Sequence, residues 1–215
     1  MNPISERIAG LGGVVLCGGK SRRMGRSKAF LSFGNETLLA RTVNTISRIA
    51  WPICVVAAPG QELPPLPQGI LIARDPTEGR GPLQGISVGL EAISEHAEAA
   101  FISSTDVPFL NPALIRRLST LQSNGYDIAV INAQGHYHPL GAVYACHVRK
   151  EADILLAENR LRPFFLFERV RTLVADEALL LSDPILREAD PQLSSLRNLN
   201  TPEDYEAALR DAGFV

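Results

Sequence analysis

The sequence predicts an α/β fold of three layers, a mostly parallel, twisted sheet with helices on both faces. Short β-branched runs alternate with longer helical stretches over the first half of the chain, which is the rhythm of successive βαβ units. The 215 residues are enough for a single core, and we expect one domain over 1–215. The composition, with 46% apolar and 20% charged residues, is that of an ordinary soluble protein.

The elements can be assigned in order from these runs and from their boundary residues. Strands are predicted over 13–17, 53–57, 70–73 and 100–103, and helices over 37–49 and 82–95. Asn111-Pro112 and Thr201-Pro202 each pair a capping side chain with a first-turn proline, so further helices are expected to begin there. Beyond residue 126 we expect two strands inserted late in the sheet, over 128–131 and 138–144, and a loop with short helices over 175–196.

The loop after the first predicted strand combines glycine with positive charge. Gly18, Gly19 and Gly25 allow the backbone N–H groups to approach a ligand closely. Five cations surround them: Lys20, Arg22, Arg23, Arg26 and Lys28. The spacing fits neither a P-loop nor a dinucleotide fingerprint, and the pattern predicts a different cradle for a polyphosphate. A solvated basic turn or a nucleic-acid patch is the alternative interpretation.

The bulk charge and the cysteines limit the class of protein. With a net charge of −2 and a pI near 6.1, the molecule has no general attraction to nucleic acid or to an anionic membrane, and we expect neither as a partner. Cys17, Cys54 and Cys146 are too few and too scattered for a disulfide framework. The first nine residues carry no signal-peptide core and no run is long enough to span a bilayer, so a cytoplasmic protein is expected.

Ligands of open α/β sheets bind at the carboxyl ends of the strands, so the residues that follow each strand are candidate site residues. Asp106 follows the strand at 100–103, and a lone carboxylate there suits Mg²⁺, which takes its remaining ligands from water and phosphate. Asp75 follows another strand, where a turn-forming role is as plausible as ligand binding. Gly81 and Pro82 open a helix whose N–H groups would face the same edge. These features together indicate phosphoryl or nucleotidyl transfer.

The chain resembles a known family over almost its whole length. The first loop is similar to the signature of the nucleotidyltransferases with a Rossmann-like, GT-A-like sheet, on Leu16-Cys17-Gly18-Gly19-x-Ser21-x-Arg23-Met24-Gly25-x-x-Lys28. Within that superfamily the sequence most resembles the molybdenum cofactor guanylyltransferases. The later landmarks occur in order as Asp75, Gly81-Pro82-Leu83-x-Gly85, Thr105-Asp106-Val107-Pro108-Phe109, His138-Pro139 and Asn198-x-Asn200-Thr201-Pro202-Glu203-Asp204.

The resemblance implies a reaction and assigns roles to residues. GMP would pass from Mg·GTP to the phosphate of molybdenum-molybdopterin, with release of pyrophosphate. Leu16, Cys17, Gly18 and Gly19 would contact the nucleotide, with Gly81 and Pro82 at the same site. Arg23 and Lys28 would neutralise the triphosphate, and Asp106 would hold Mg²⁺.

The resemblance is less specific about the base and about the acceptor. Asp75 would lie near the base or ribose, and His138, Asn198 and Asn200 near the pterin. The stretch 55–59 lacks an asparagine common in the family, which keeps a cytidylyltransferase open as an alternative. A non-catalytic domain that delivers the cofactor is the other alternative. Molybdopterin-synthesis proteins and molybdoenzymes that accept the product are the expected protein partners.

Overall fold

A computed structural model of the protein describes residues 6–18 and 27–215. Its main sheet has seven strands in the order β5-β4-β1-β6-β8-β7-β9, and β2 and β3 form a separate two-stranded ribbon. The strands are β1 (Leu11–Leu16), β2 (Ser32–Phe33), β3 (Glu36–Thr37), β4 (Ile53–Ala57), β5 (Leu71–Arg74), β6 (Ala99–Ser104), β7 (Ile128–Ala133), β8 (His136–Ala145) and β9 (Thr172–Ala175). All neighbouring pairs of the main sheet are parallel except the two that β8 makes with β6 and β7.

Helices cover both faces of this sheet, which confirms the predicted three-layer α/β class. They are α1 (Leu38–Ser47), α2 (Gly81–Ile93), α3 (Pro112–Ser123), α4 (Arg149–Ala157), α5 (Phe164–Phe167), α6 (Glu177–Leu181), α7 (Pro184–Ala189) and α8 (Pro202–Asp211). One apolar core joins the sheet to α1, α3, α6 and α7, and a second joins its other face to α2, α4 and α5. A bilayer-spanning helix is absent from the residues described.

The two proline-marked helix starts are confirmed. The Asn111 side chain accepts a hydrogen bond from Ala113 N–H at the start of α3. Thr201 and Asp204 form a reciprocal capping box at the start of α8, which packs on a small third cluster around Phe33. Because each cap satisfies N–H groups that have no partner inside the helix, these boundaries are encoded locally.

The hairpin of β7 and β8 is also confirmed, with longer strands than expected. Gln134 and Gly135 form its turn with φ values of 52° and 76°, the left-handed pair that tight hairpins need. β8 runs antiparallel to β6 and β7, so the hairpin is inserted between β6 and β9. Helix α3 makes the connection from β6 to β7, which run parallel to each other. Its register shifts between Ala129 and Ile131, which marks a bulge.

The edge strand β9 was not predicted from the sequence. It has only four residues, a run too short to show a period, and it lies at the edge of the sheet, where Val174 is exposed. It pairs with β7 in parallel. The following segment contains α6 and α7, each capped by an aspartate, in agreement with the short helices expected over 175–196.

Close packing of α2 on β1 fixes the helix relative to the sheet. A Cβ added at Gly89 would lie 2.3 Å from the nearest methyl carbon of Val14, and one at Gly85 would lie 3.1 Å from Leu16. The missing side chains let the helix backbone approach the central strand, as glycine does where two elements meet. This approach brings the amino terminus of α2 to the carboxyl end of β1.

We expect Gly89→Ala to destabilise the protein. Overpacking against buried Val14 costs about 1–3 kcal/mol and the better helix propensity of alanine returns up to about 1 kcal/mol, so a net loss of about 1 kcal/mol in the free energy of unfolding is expected. Urea denaturation measures it. Gly85→Ala is the matched comparison and should lose less, because its nearest contact is longer. A Gly89→Ala protein as stable as the parent would contradict the packing argument.

Candidate active site

A cavity of about 560 Å³ opens at the carboxyl ends of the parallel strands. The exits of β1, β4, β5 and β6 form its floor, and the start of α2 forms one wall. This is the edge where open α/β sheets bind ligands. The lining includes these residues from the predicted set: Leu16, Cys17, Gly18, Lys28, Asp75, Gly81, Pro82 and Asp106.

The end of β1 supplies the first part of the lining. Cys17 N–H donates to the Val56 carbonyl at 2.8 Å, and the Thr105 hydroxyl donates to the Leu16 carbonyl at 3.2 Å. Burial raises the pKa of the Cys17 thiol, so this group is an uncharged part of the wall rather than a nucleophile. Gly19 and Arg23, together with the other cations of the loop up to Arg26, lie outside the described residues.

Lys28 and Asp106 form an ion pair in the cavity. The Lys28 ammonium nitrogen lies 2.6 Å from Oδ2 of Asp106, and the Ser104 hydroxyl donates to Oδ1 at 2.6 Å. The two charged side chains are only 19% and 15% exposed, so solvent screens the pair less than it screens a surface pair. Lys28 reaches this position from a short 3₁₀ turn, whereas Asp106 follows β6 directly.

The surroundings of Asp106 fit a divalent cation that is bound mainly by its ligand and by water. No group of three or more His, Cys, Asp or Glu side chains within 6–18 and 27–215 forms a metal site on its own. Mg²⁺ needs only one or two carboxylates when phosphate oxygens and water supply the remaining ligands. Both Asp106 oxygens accept hydrogen bonds, from the Lys28 ammonium and the Ser104 hydroxyl, so a bound cation would replace one of these donors.

Asp75 is a half-buried carboxylate with an unused oxygen. Its Oδ1 atom is buried and has no hydrogen-bond partner among the residues the structure describes. Burial raises the pKa of Asp75, and the neighbouring Gln84 amide opposes that rise only in part. A Cβ added at Gly18 would lie 3.6 Å from Asp75 Oδ2, so the two residues face each other. The free oxygen is therefore available to a ligand that donates N–H or O–H.

The start of α2 forms the wall of the cavity opposite the sheet. Gly79 and Gly81 have φ values of 84° and 73°, a backbone conformation that side chains disfavour. They flank Arg80, whose guanidinium donates to the Leu156 carbonyl and so ties this loop to the end of α4. Pro82 occupies the first turn of α2, as predicted. The helix thus presents its amino terminus to the cavity.

Several lining residues were not predicted from the sequence. Ser104 could have been predicted from the sequence, because it is a polar residue at the end of a buried strand and precedes the candidate carboxylate by two residues. The others carry no comparable pattern, because their position depends on how distant segments fold together. They are Val56, Ala58, Glu78 and Leu140, whereas Thr105, which also lines the cavity, belongs to the Asp106 motif.

The three residues predicted near the pterin lie apart from the main cavity. His138 and Asn198 line a narrow cavity of about 10 Å³ that shares Leu140 with it. His138 also borders a larger cavity of about 580 Å³, and burial, with a smaller effect of His136, lowers its pKa. Asn200 lies beside the α8 cap, where its backbone N–H donates to Asp204.

One contact connects this second region with the main cavity. Leu199, between the two asparagines, donates its backbone N–H to the Asp106 carbonyl at 2.9 Å. The segment that holds Asn198 and Asn200 is therefore anchored directly to the residue that completes the Lys28 ion pair.

Comparison with known proteins agrees with this architecture. The model of the MobA-like NTP transferase domain matches residues 13–172. A protein of Mycobacterium avium (strain 104), named "Probable molybdenum cofactor guanylyltransferase", is 40% identical over 150 residues, which are 68% of this chain and 75% of the relative.

Two solved structures share the fold at low sequence identity. The molybdopterin-guanine dinucleotide biosynthesis protein A of Archaeoglobus fulgidus has a TM-score of 0.74 at 21% identity, covering 95% of this chain and all of that one (100%). The 2-C-methyl-D-erythritol 4-phosphate cytidylyltransferase of Thermus thermophilus has a TM-score of 0.65 at 18% identity, covering 94% of this chain and 98% of that one.

The family match covers most of the sheet and the whole lining of the main cavity. Its residues 13–172 include every predicted site residue that lines the main cavity. Nucleotidyltransferases of this kind usually depend on a divalent metal ion. The match over most of the chain, supported by the 40% identical relative, shows that this protein belongs to the MobA-like NTP transferase family.

Proposed function

We propose that the protein transfers GMP from Mg·GTP to the phosphate of molybdenum-molybdopterin, which gives the guanine dinucleotide and pyrophosphate. The observation that carries the proposal is the Lys28–Asp106 pair in a strand-end cavity of a chain 40% identical to a relative named for this activity. The remaining geometry supports a nucleotide bound across the cavity.

The strand order supports a nucleotide whose two ends lie at different strands of the sheet. Asp75 follows β5 and Asp106 follows β6, and these strands are three neighbours apart in the sheet. At about 4.8 Å between neighbouring strands, the ends of β5 and β6 lie roughly 14 Å apart. This span suits a base or ribose at Asp75 and a triphosphate at Asp106, with the Leu16–Gly18 backbone between them.

The positive groups of the cavity favour the Asp106 side as the position of the triphosphate. The Lys28 ammonium neutralises triphosphate oxygens, and the amino terminus of α2 at Gly81 and Pro82 adds the partial positive charge of a helix start. Arg23 and Gly19, from the cationic loop, are assigned to the same end on sequence alone. Asp106 is the residue that would hold Mg²⁺, which when bound neutralises phosphate charge and polarises the α-phosphorus.

In the proposed step a phosphate oxygen of the acceptor attacks the α-phosphorus of GTP. The bond from that phosphorus to the oxygen bridging the β-phosphorus breaks, and its electron pair leaves with pyrophosphate. An ionised phosphate oxygen has no proton to lose, so no general base is required. Lys28 stabilises the negative charge that grows on the leaving group, and the remaining contribution is positioning.

The acceptor is placed on the far side of Asp106. We assign His138, Asn198 and Asn200 to the pterin because Leu199 anchors their region to Asp106 and the cavity of about 580 Å³ lies next to it. Proteins that synthesise molybdopterin or accept the finished cofactor would meet the molecule at this open edge.

The proposal is tested by following which triphosphate is consumed. Purified protein, molybdenum-loaded molybdopterin and Mg²⁺ are incubated in turn with GTP, CTP, ATP and UTP, and pyrophosphate and the dinucleotide product are measured. We expect turnover with GTP. Preferential use of CTP would instead identify a cytidylyltransferase, and binding without turnover would identify a delivery domain.

Lys28→Ala and Asp106→Ala are each expected to lower kcat at least roughly a hundredfold, the scale of removing one group that stabilises transition-state charge. Steady-state assays at saturating GTP measure the loss. The matched control is Lys150→Ala, since Lys150 is an exposed lysine on α4. A turnover number close to that of the parent for either cavity variant would remove that residue from its proposed role.

The proposed role of Asp75 leads us to expect that GTP binding depends on pH. In its proposed role the carboxylate accepts a hydrogen bond from the nucleotide, so protonation weakens binding. Because burial raises the pKa of Asp75, KM for GTP should begin to rise at a less acidic pH than an ordinary aspartate would give.

Asp75→Asn is the variant that checks this. It should remove the acidic rise in KM, while the phosphates of GTP titrate alike in both proteins. Since the buried Oδ1 atom has no partner among the described residues, the melting temperature of the nucleotide-free variant should not fall. Identical KM profiles against pH in the two proteins would refute the assignment of Asp75.

A further inference from the structure

We propose that Gln61 is a positioning residue for the nucleoside end of the substrate. It is not part of the cavity wall and belongs to none of the sequence motifs. Its side chain instead bridges the two backbone segments that form the corner of the cavity facing Asp75. This inference rests on the proposed function and names the residue that shapes its nucleoside pocket.

The Gln61 amide makes complementary contacts to both segments. Its Oε1 atom accepts from Ala58 N–H at 3.0 Å, and its Nε2 atom donates to the Cys17 carbonyl at 3.1 Å and approaches Cys17 Sγ at 3.4 Å. Cys17 follows β1 and Ala58 follows β4, so one side chain joins two strand exits, and the Cys17 contacts span 44 residues of the chain. Both residues line the cavity.

A turn holds Gln61 in position for these contacts. Gln61 N–H donates to the Ala58 carbonyl at 3.2 Å. The Arg74 guanidinium donates to the carbonyls of Ala58 and Gln61 at 3.1 and 2.6 Å, which ties the turn to β5. The bridging amide is therefore supported from the neighbouring strand and its geometry is preset.

The bridged corner adjoins the residues assigned to the base or ribose. A Cβ added at Gly18 would lie 3.5 Å from Ala58 N and 3.6 Å from Asp75 Oδ2, so these groups surround the same small space. Asp75 N–H in turn donates to the Ala57 carbonyl at 2.9 Å. The amide of Gln61 thus fixes the spacing between the β1 exit and the β4 exit on the side of Asp75.

Loss of the amide would affect one end of the nucleotide more than the other. Without it, the Ala58 N–H and the Cys17 carbonyl lose the partners shown here and can move apart. The Lys28–Asp106 pair lies at the exit of β6, on the side of β1 away from β4, and makes no hydrogen bond with Gln61 among the described residues. We therefore expect weaker binding of the nucleoside, with binding of the phosphates preserved.

The experiment compares Gln61→Met with the parent protein. Methionine keeps the length of the side chain and removes both hydrogen-bonding groups. We expect KM for GTP to rise about tenfold, the effect of depriving partly buried polar groups of one partner, while kcat at saturating GTP falls less than about threefold. Inhibition by guanosine should weaken by a similar factor, and inhibition by pyrophosphate should be unchanged.

Two further variants separate positioning from general structure. Gln61→Glu keeps the acceptor for Ala58 N–H but places a carboxylate oxygen against the Cys17 carbonyl, so its KM should rise at least as much as that of Gln61→Met. Gln68→Met, at an exposed glutamine, is the matched control and should behave as the parent does. Calorimetric titration with Mg·GTP measures binding directly, so the test does not depend on turnover.

The outcomes are distinct. An unchanged dissociation constant for Mg·GTP in Gln61→Met overturns the inference. A lower dissociation constant in Gln61→Met overturns the inference too, because the Gln61 amide of the parent would then hinder binding of the nucleoside. Equal weakening of guanosine and pyrophosphate, with a lower melting temperature, indicates a purely structural role and overturns it as well. Parent protein that binds Mg·GTP without transferring GMP would refute the proposed function and still leave the role of Gln61 measurable.

Discussion

The direct contact of α2 with β1 is the constraint on which the site depends. Gly89 and Gly85 remove the side chains that would hold the helix away from the central strand. The helix can then lie low over β1, with its amino terminus at the exit of that strand. Since interiors are close-packed, a shift of α2 would also move Gly81 and Pro82 relative to the β1 exit. Packing in one half of the sheet thereby sets the geometry of the cavity.

The sequence predicts most of the fold because most of its signals are local. The caps at Asn111 and Thr201 identify helix starts from two residues each, and the hairpin turn at Gln134-Gly135 follows from its conformational demands. β9 has no such local signature, because a short edge strand is defined by its pairing with β7. Its short length and its exposure, rather than its composition, explain why it was not predicted.

The residues of the candidate site also fall into those that a local sequence pattern indicates and those that only the folded chain brings together. Lys28, Asp75 and Asp106 could be named as candidates because charged residues next to strands and glycines are unusual, and the structure brings all three to one cavity. Their roles stay predictions. The contact of Gln61 with Cys17 could not be predicted, because nothing in the sequence around Gln61 shows that it reaches a residue 44 positions away. His138, Asn198 and Asn200 came from the family resemblance, and their distance from the main cavity could not be read from spacing.

The ion pair between Lys28 and Asp106 has a consequence for ligand binding under the proposed function. Before any nucleotide arrives the two groups cancel each other, so this part of the cavity carries little net charge. A bare triphosphate would have to approach Asp106 against repulsion, and a bare Mg²⁺ would have to approach Lys28 in the same way. A ligand that already combines both signs can exchange partners with the pair, its cation replacing the ammonium and its phosphate replacing the carboxylate. In the proposed binding mode, the ligand-free ion pair therefore favours the magnesium salt of the nucleotide over either component alone.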